Sequence, residues 1–293
     1  MITTMLHGAS MALADSVPGV SGGTIAFILG FYERLLGAIH DFVGGSREER
    51  KQALRYLVKF AIGWTVGMGG SVVLLSRFFD SNIYFLSSMF LGLTLGAIPF
   101  ILYQERSCLQ NRWQNGAFTL LGIVLVVAMS FFRSFSGGVG AVRFQSLTLL
   151  QGGYLILCGA LAISAMLLPG ISGSTLLLIF GVYVPAVNAV KEVLHLHLEY
   201  LPGVLALAAG VLLGVVFAAN LIRKALRVCR SQMVYLILGL MLGSLYAIAL
   251  GPTTLDVPQA SLSPANFQPL GFLLGILVLT GLEWMKKIGT QIA

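Results

Sequence analysis

Pro18-Gly19-Val20-Ser21-Gly22-Gly23-Thr24-Ile25 recurs later in the chain as Pro169-Gly170-Ile171-Ser172-Gly173-Ser174-Thr175-Leu176. Extended to Tyr32 and Tyr183, the two copies share eight of 15 aligned positions: Pro18/Pro169, Gly19/Gly170, Ser21/Ser172, Gly22/Gly173, Thr24/Thr175, Ile28/Ile179, Gly30/Gly181 and Tyr32/Tyr183. The offset, 151 residues, is about half of the 293-residue chain. Weaker matches follow in the same order. Leu91-Gly92-Leu93-Thr94-Leu95-Gly96 pairs with Leu238-Gly239-Leu240-Met241-Leu242-Gly243, and Leu120-Leu121-Gly122-Ile123 with Leu273-Leu274-Gly275-Ile276. The sequence is a duplication, and each half carries one polar, glycine-rich break in apolar surroundings.

Those surroundings set the class. The chain is 57% hydrophobic and 10% charged, against about 25% charged residues in a soluble domain. Apolar runs recur near the ~20 residues that cross a bilayer as a helix, and 35 glycines suit close helix packing in lipid. The expectation is an all-α polytopic membrane protein. Its formal charge of +7 is read as basic cytoplasmic loops, with no nucleic-acid partner. Cys108, Cys158 and Cys229 lack metal-ligand spacing and are expected as free thiols. Ala12-Leu13-Ala14 is not read as a signal-peptide cleavage site, because no Lys or Arg precedes it.

The predicted organisation is two repeats, residues 1–140 and 141–293, forming one membrane domain. Each is a helical hairpin around its break (about 1–40 and 147–190) followed by three spans. The spans are placed at about 58–77, 83–102 and 116–132, then 203–222, 232–250 and 268–285. Single helices are expected over about Ser21–Ile39 and Ser172–Val190. The first arm is short and contains Asp15 and Ser16, which favours hairpins that re-enter rather than cross. A hairpin returns to its own side, so each half crosses an odd number of times and the halves are inverted, as in many transporters. With the N-terminus in the cytoplasm, Arg77, Arg133, Arg143 and Lys191 fall outside and Arg34 lies near a helix end. The other 13 of the 18 basic residues fall inside, as the positive-inside rule requires. Both termini are then cytoplasmic.

Irregular backbone at membrane depth is tolerated only against protein or a wet cavity, so each break marks a candidate site. Pro18 and Pro169 end the arms, and Ser21 and Ser172 suit the N-cap. Gly22, Gly23 and Thr24, and Gly173, Ser174 and Thr175, then supply first-turn amides. The small side chains leave these donors open and the helix dipole favours an anion, with phosphate as the natural occupant. The plainer reading is that the small residues only permit tight packing. Asp15 is the candidate coupling residue for a proton or Na+, or else an acceptor for hairpin amides. Glu33 and Arg34, about 18 Å along a straight helix from Ser21, are an interfacial ion pair or guide a headgroup. Tyr32 and Tyr183 read as interface anchors.

Asp15-Ser16-Val17-Pro18-Gly19-Val20-Ser21-Gly22-Gly23-Thr24, followed by Gly30-Phe31-Tyr32-Glu33-Arg34-Leu35, resembles the polyprenyl-phosphate transporter family PopT, and Pro169 to Thr175 matches it too. The resemblance covers essentially the whole chain. It implies a bacterial plasma-membrane protein that returns undecaprenyl phosphate, the lipid carrier of peptidoglycan and other envelope polymers, from the outer to the inner leaflet. It carries over Asp15, Ser21, Gly22, Gly23, Thr24, Ser172, Ser174 and Thr175 as motif residues. The residues alone indicate only a phosphate-sized anion held in the membrane. The expectation is therefore a lipid-phosphate transporter needing no cofactor, alternating access by rocking one repeat against the other. The alternative is a channel or transporter for a small inorganic anion. A lipid phosphatase or transferase would need a proton shuttle, and His7, His40, His195 and His197 all lie away from the breaks.

Overall fold

The computed structural model describes residues 2–15, 21–110, 112–135, 144–145, 147–254 and 259–292, without the side chains of 2, 72–81, 132–135, 194, 254 and 282–292. Pro18, Gly19, Arg143 and most of the connector between the halves lie outside the described residues. So do the side chains of Arg77, Arg133, Lys286 and Lys287.

The helices are α1 (Ile2–Asp15), α2 (Gly22–Ile28), α3 (Tyr32–Gly44), α4 (Arg47–Gln104), α5 (Arg106–Leu109) and α6 (Gly116–Phe135) in the first half. The second half holds α7 (Leu149–Leu167), α8 (Gly173–Ile179), α9 (Tyr183–Leu194), α10 (Leu201–Val228), α11 (Arg230–Leu250) and α12 (Pro269–Ile292). No strand occurs among the described residues. Among the described residues, five helices are long and apolar enough to cross a bilayer, or up to seven spans if each of two bent pairs counts as one. Cys108, Cys158 and Cys229 are free.

Local signals explain the boundaries. Ser46 and Glu49 form a capping box that starts α4 inside the charged segment 41–59, and Thr148 and Gln151 form another at α7. The expected division of α4 into two spans falls at Asn82, whose backbone is non-helical (φ −137°, ψ 32°).

The single helices expected after each break are not single. The chain turns by 110° between α2 and α3 and by 105° between α8 and α9. The cause is Gly30 (φ 73°) and Gly181 (φ 67°), in a left-handed conformation that only glycine adopts cheaply. These are two of the eight repeated positions, so the duplication preserves the bend as well as the break. The arms differ in reach. α1 has 14 residues, about 21 Å of helix against a hydrocarbon core of about 30 Å. α7 has 19 residues and is long enough to cross.

Four helix crossings are closed by glycine in matching pairs. Where α1 meets the first part of α4, a β-carbon on Gly8 or Gly63 would collide with the carbonyl oxygen of Phe60 or Met5. Gly159 and Gly210 do the same for α7 and α10, against Leu207 and Ile156. In the other two crossings, Gly122 and Gly239 bring α6 onto α11, and Gly92 and Gly275 bring α12 onto the second part of α4. With no hydrophobic drive between helices in lipid, such close approach supplies the packing. The last helix of each half thus packs on the other half, so the halves interlock.

Candidate functional site

The two breaks meet. The hydroxyl of Thr24 accepts a 2.9 Å hydrogen bond from the amide of Gly170. The hydroxyl of Ser21 donates to the carbonyl of Leu168 at 3.3 Å, and the hydroxyl of Tyr32 to that of Leu167 at 2.8 Å. Those carbonyls belong to the end of α7, where the last turn of a helix leaves its acceptors unpaired. The positive end of α2 therefore faces the negative end of α7. Tyr32, expected as an interface anchor, is instead buried at this junction.

The first break is satisfied from within. The amide of Gly22 donates to Asp15 Oδ1 at 2.7 Å, that of Gly23 to Ser21 Oγ at 3.2 Å, and that of Thr24 to the Ser21 carbonyl at 3.0 Å. Trp64 Nε1 steadies the other carboxylate oxygen of Asp15 at 3.4 Å. Ser21, Gly22, Gly23 and Thr24 are all buried. The donors expected to stand open here are occupied in this conformation, the first of them by the Asp15 carboxylate. Gly22 permits this: a β-carbon there would lie 2.6 Å from either carboxylate oxygen.

The second break is built differently. Met166 stands where the first half has Asp15. Ser172 takes the N-cap position with extended backbone but makes no side-chain cap bond, and its hydroxyl pairs with that of Ser174 at 2.8 Å. Gly173 is buried. Ser172 and Thr175, with Ser130 of α6, border a cavity of about 20 Å³, room for about one water molecule. The only sequence signal at Ser130 is a hydroxyl inside an apolar run.

Glu33 and Arg34 do not act as a pair along a straight helix. After the bend at Gly30 they diverge. Glu33 accepts a bond from Arg230 at 2.9 Å, while the Arg34 guanidinium lies 5.0 Å over the ring of Tyr56. Arg230 also binds both carboxylate oxygens of Glu105, at 2.9 and 2.7 Å. This pairing, which joins the end of α4 to the start of α11, gave no sequence signal because its partners lie 125 residues apart. The hydrogen bonds from Arg230 hold the Glu105 carboxyl below its ordinary pKa.

A family described as undecaprenyl phosphate translocase-like matches residues 11–265. The chain is 30% identical over 275 residues to a polyprenyl-phosphate transporter of Staphylococcus aureus, covering 94% of this chain and 93% of that one. It is also 30% identical over 306 aligned positions to a polyprenyl-phosphate transporter of Vibrio cholerae, covering 95% and 92%. No solved structure matches the chain.

Proposed function

This chain belongs to the undecaprenyl phosphate translocase-like family, and from that premise we propose that it transports polyprenyl phosphate, returning undecaprenyl phosphate from the outer to the cytoplasmic leaflet for reuse in envelope synthesis. The family and both relatives are transporters rather than enzymes. The two halves lie inverted in the bacterial plasma membrane with both termini cytoplasmic. The α1–α2 and α7–α8 hairpins re-enter from opposite sides, and the headgroup passes between their tips while the polyprenyl tail stays in lipid.

The observation that carries this reading is the bond between Asp15 and the Gly22 amide. A carboxylate held at the start of α2 is an oxyanion in the place proposed for the phosphate. Ser21, Gly22, Gly23 and Thr24 receive the headgroup from one side, and Ser172, Gly173, Ser174 and Thr175 from the other. Charge in a low-dielectric medium costs several kcal/mol or more. Exchanging one bound anion for another keeps that cost down. Protonation of Asp15 would weaken its hold on the Gly22 amide and admit the phosphate, so proton and headgroup travel together. Na+ bound at Asp15 would serve the same end.

The interlocking of α6 with α11 and α12 with α4 argues against rocking of whole repeats, because separation would tear two glycine-lined crossings at once. The moving parts are instead each hairpin together with the helix its arm packs on, α1 with the first part of α4 and α7 with α10, working against a frame of α6, α11, α12 and the second part of α4. The test is leaflet movement of labelled undecaprenyl phosphate in proteoliposomes, with undecaprenol and inorganic phosphate as comparisons. Movement of the lipid phosphate alone supports the proposal. Passage of inorganic phosphate without the lipid would mean a small-anion transporter instead.

A further inference from the structure

A second polar cavity lies away from the breaks. It has a volume of about 310 Å³ and is lined by Glu33, Leu36, Arg223, Leu226, Arg227 and Arg230. A space of about 10–15 Å³ on this measure already holds a water molecule, so the cavity has ample room for a phosphate group and water around it. Arg223, Arg227 and Arg230 recur at spacings of four and three, the rhythm that gathers side chains on one helix face, although α10 ends at Val228. Leu36 and Leu226 are buried and form an apolar floor.

The three arginines differ in how they are held. Arg223 Nη1 pairs with Asp41 at 3.2 Å. Arg230 is held on two sides: Glu105, 15% exposed, binds it through both oxygens, while Glu33, 60% exposed, binds it through one. Arg227 is exposed and has no carboxylate within ion-pair distance among the described residues. The cavity therefore holds one unpaired guanidinium and a second whose exposed partner is the easier to displace. Guanidinium groups match phosphate oxygens in bidentate geometry, which makes Arg the apt residue for such a ligand.

We infer that this cavity is a second binding site for a phosphate monoester, in which Arg227 and Arg230 hold the phosphate and Glu33 is the anion that displaces it. The inference rests on the transport reading for its direction: a headgroup leaving the breaks enters the cavity, takes the place of Glu33 on Arg230, and leaves when Glu33 returns. Glu33 is suited to this because it follows Tyr32, whose hydroxyl holds the end of α7. A shift of α3 would be felt at the breaks and in the cavity together.

The test measures binding of undecaprenyl phosphate, undecaprenol and inorganic phosphate to the full-length protein in nanodiscs, with leaflet movement assayed in parallel. Arg227→Gln is expected to weaken undecaprenyl phosphate binding about tenfold, the loss of one charge-assisted bond. Glu33→Gln is expected to tighten it several-fold and slow release, because the competitor has lost its charge. Undecaprenol binding should not respond to either change. Inorganic phosphate binding in the same variant order supports the site with free phosphate as its source. Unchanged binding and movement in both variants, beside an active wild type, would overturn the cavity site and leave the transport reading standing. A wild type that moves no lipid but binds inorganic phosphate in the expected variant order would do the reverse.

Discussion

Thr24 and Gly170, 146 residues apart, are joined by a 2.9 Å hydrogen bond from the Gly170 amide to the Thr24 hydroxyl. Each belongs to one copy of the repeated motif, so this bond is where the duplication closes on itself. Gly170 has φ 91° and packs against the Leu240 backbone, and its bond to Thr24 is buried.

Thr24→Val should leave that amide unpaired at a cost of about 1–3 kcal/mol. Thr24→Ser keeps the acceptor and should stay near wild type. Thermal unfolding in detergent checks this, and a Thr24→Val protein as stable as wild type would contradict the assignment.

Gly30→Ala and Gly181→Ala should each destabilise the fold by about 1–2 kcal/mol, the cost of a left-handed L-residue. Gly37 lies within α3 with open space around its α-carbon, so Gly37→Ala should be neutral or stabilising by up to about 1 kcal/mol. If all three variants behaved alike, the bends would not be set by these glycines.

Asp15→Leu should leave the Gly22 amide without its acceptor and lower stability by about 1–3 kcal/mol. Asp15→Asn retains an acceptor oxygen for the amide and should fold close to wild type. Comparing the melting temperatures of the two separates hydrogen bonding at Asp15 from its charge.

The Arg230–Glu105 pair predicts an acid response. Arg230 lowers the Glu105 pKa from its ordinary 4.5. A depressed carboxylate contributes stability above its unfolded pKa and loses it as pH falls through the folded value. Stability from this pair should therefore be intact above about pH 5 and fade below pH 4.5. Arg230→Gln should remove that part of the acid dependence, which unfolding midpoints measured from pH 7 to pH 3 would reveal.

Much of this architecture is legible in the sequence, because hydropathy and glycine act locally. Apolar runs place α6, α7, α10 and α11, and the polar Asp80-Ser81-Asn82 group marks the irregularity in α4. The bends are not read, although Gly30 and Gly181 are visible repeats. An isolated glycine in an apolar run is compatible with a helix, and only tertiary packing decides its φ. Identical motifs also hide unlike sites. Asp15 fills the first break, while its counterpart Met166 has no oxygen to offer, so Ser172 and Thr175 border a cavity instead. The pairing of Glu33 with Arg230 rather than with its neighbour Arg34 follows from the bend, which periodicity does not supply.

In the proposed mechanism, Asp15 and the lipid phosphate compete for the start of α2. The most direct test of this competition is the rate of undecaprenyl phosphate movement between leaflets in proteoliposomes, measured for wild type and Asp15→Asn across imposed pH gradients. Wild-type movement should respond to the gradient, and Asp15→Asn should still move lipid but without that response. An Asp15→Asn protein that keeps the wild-type pH response would contradict the account.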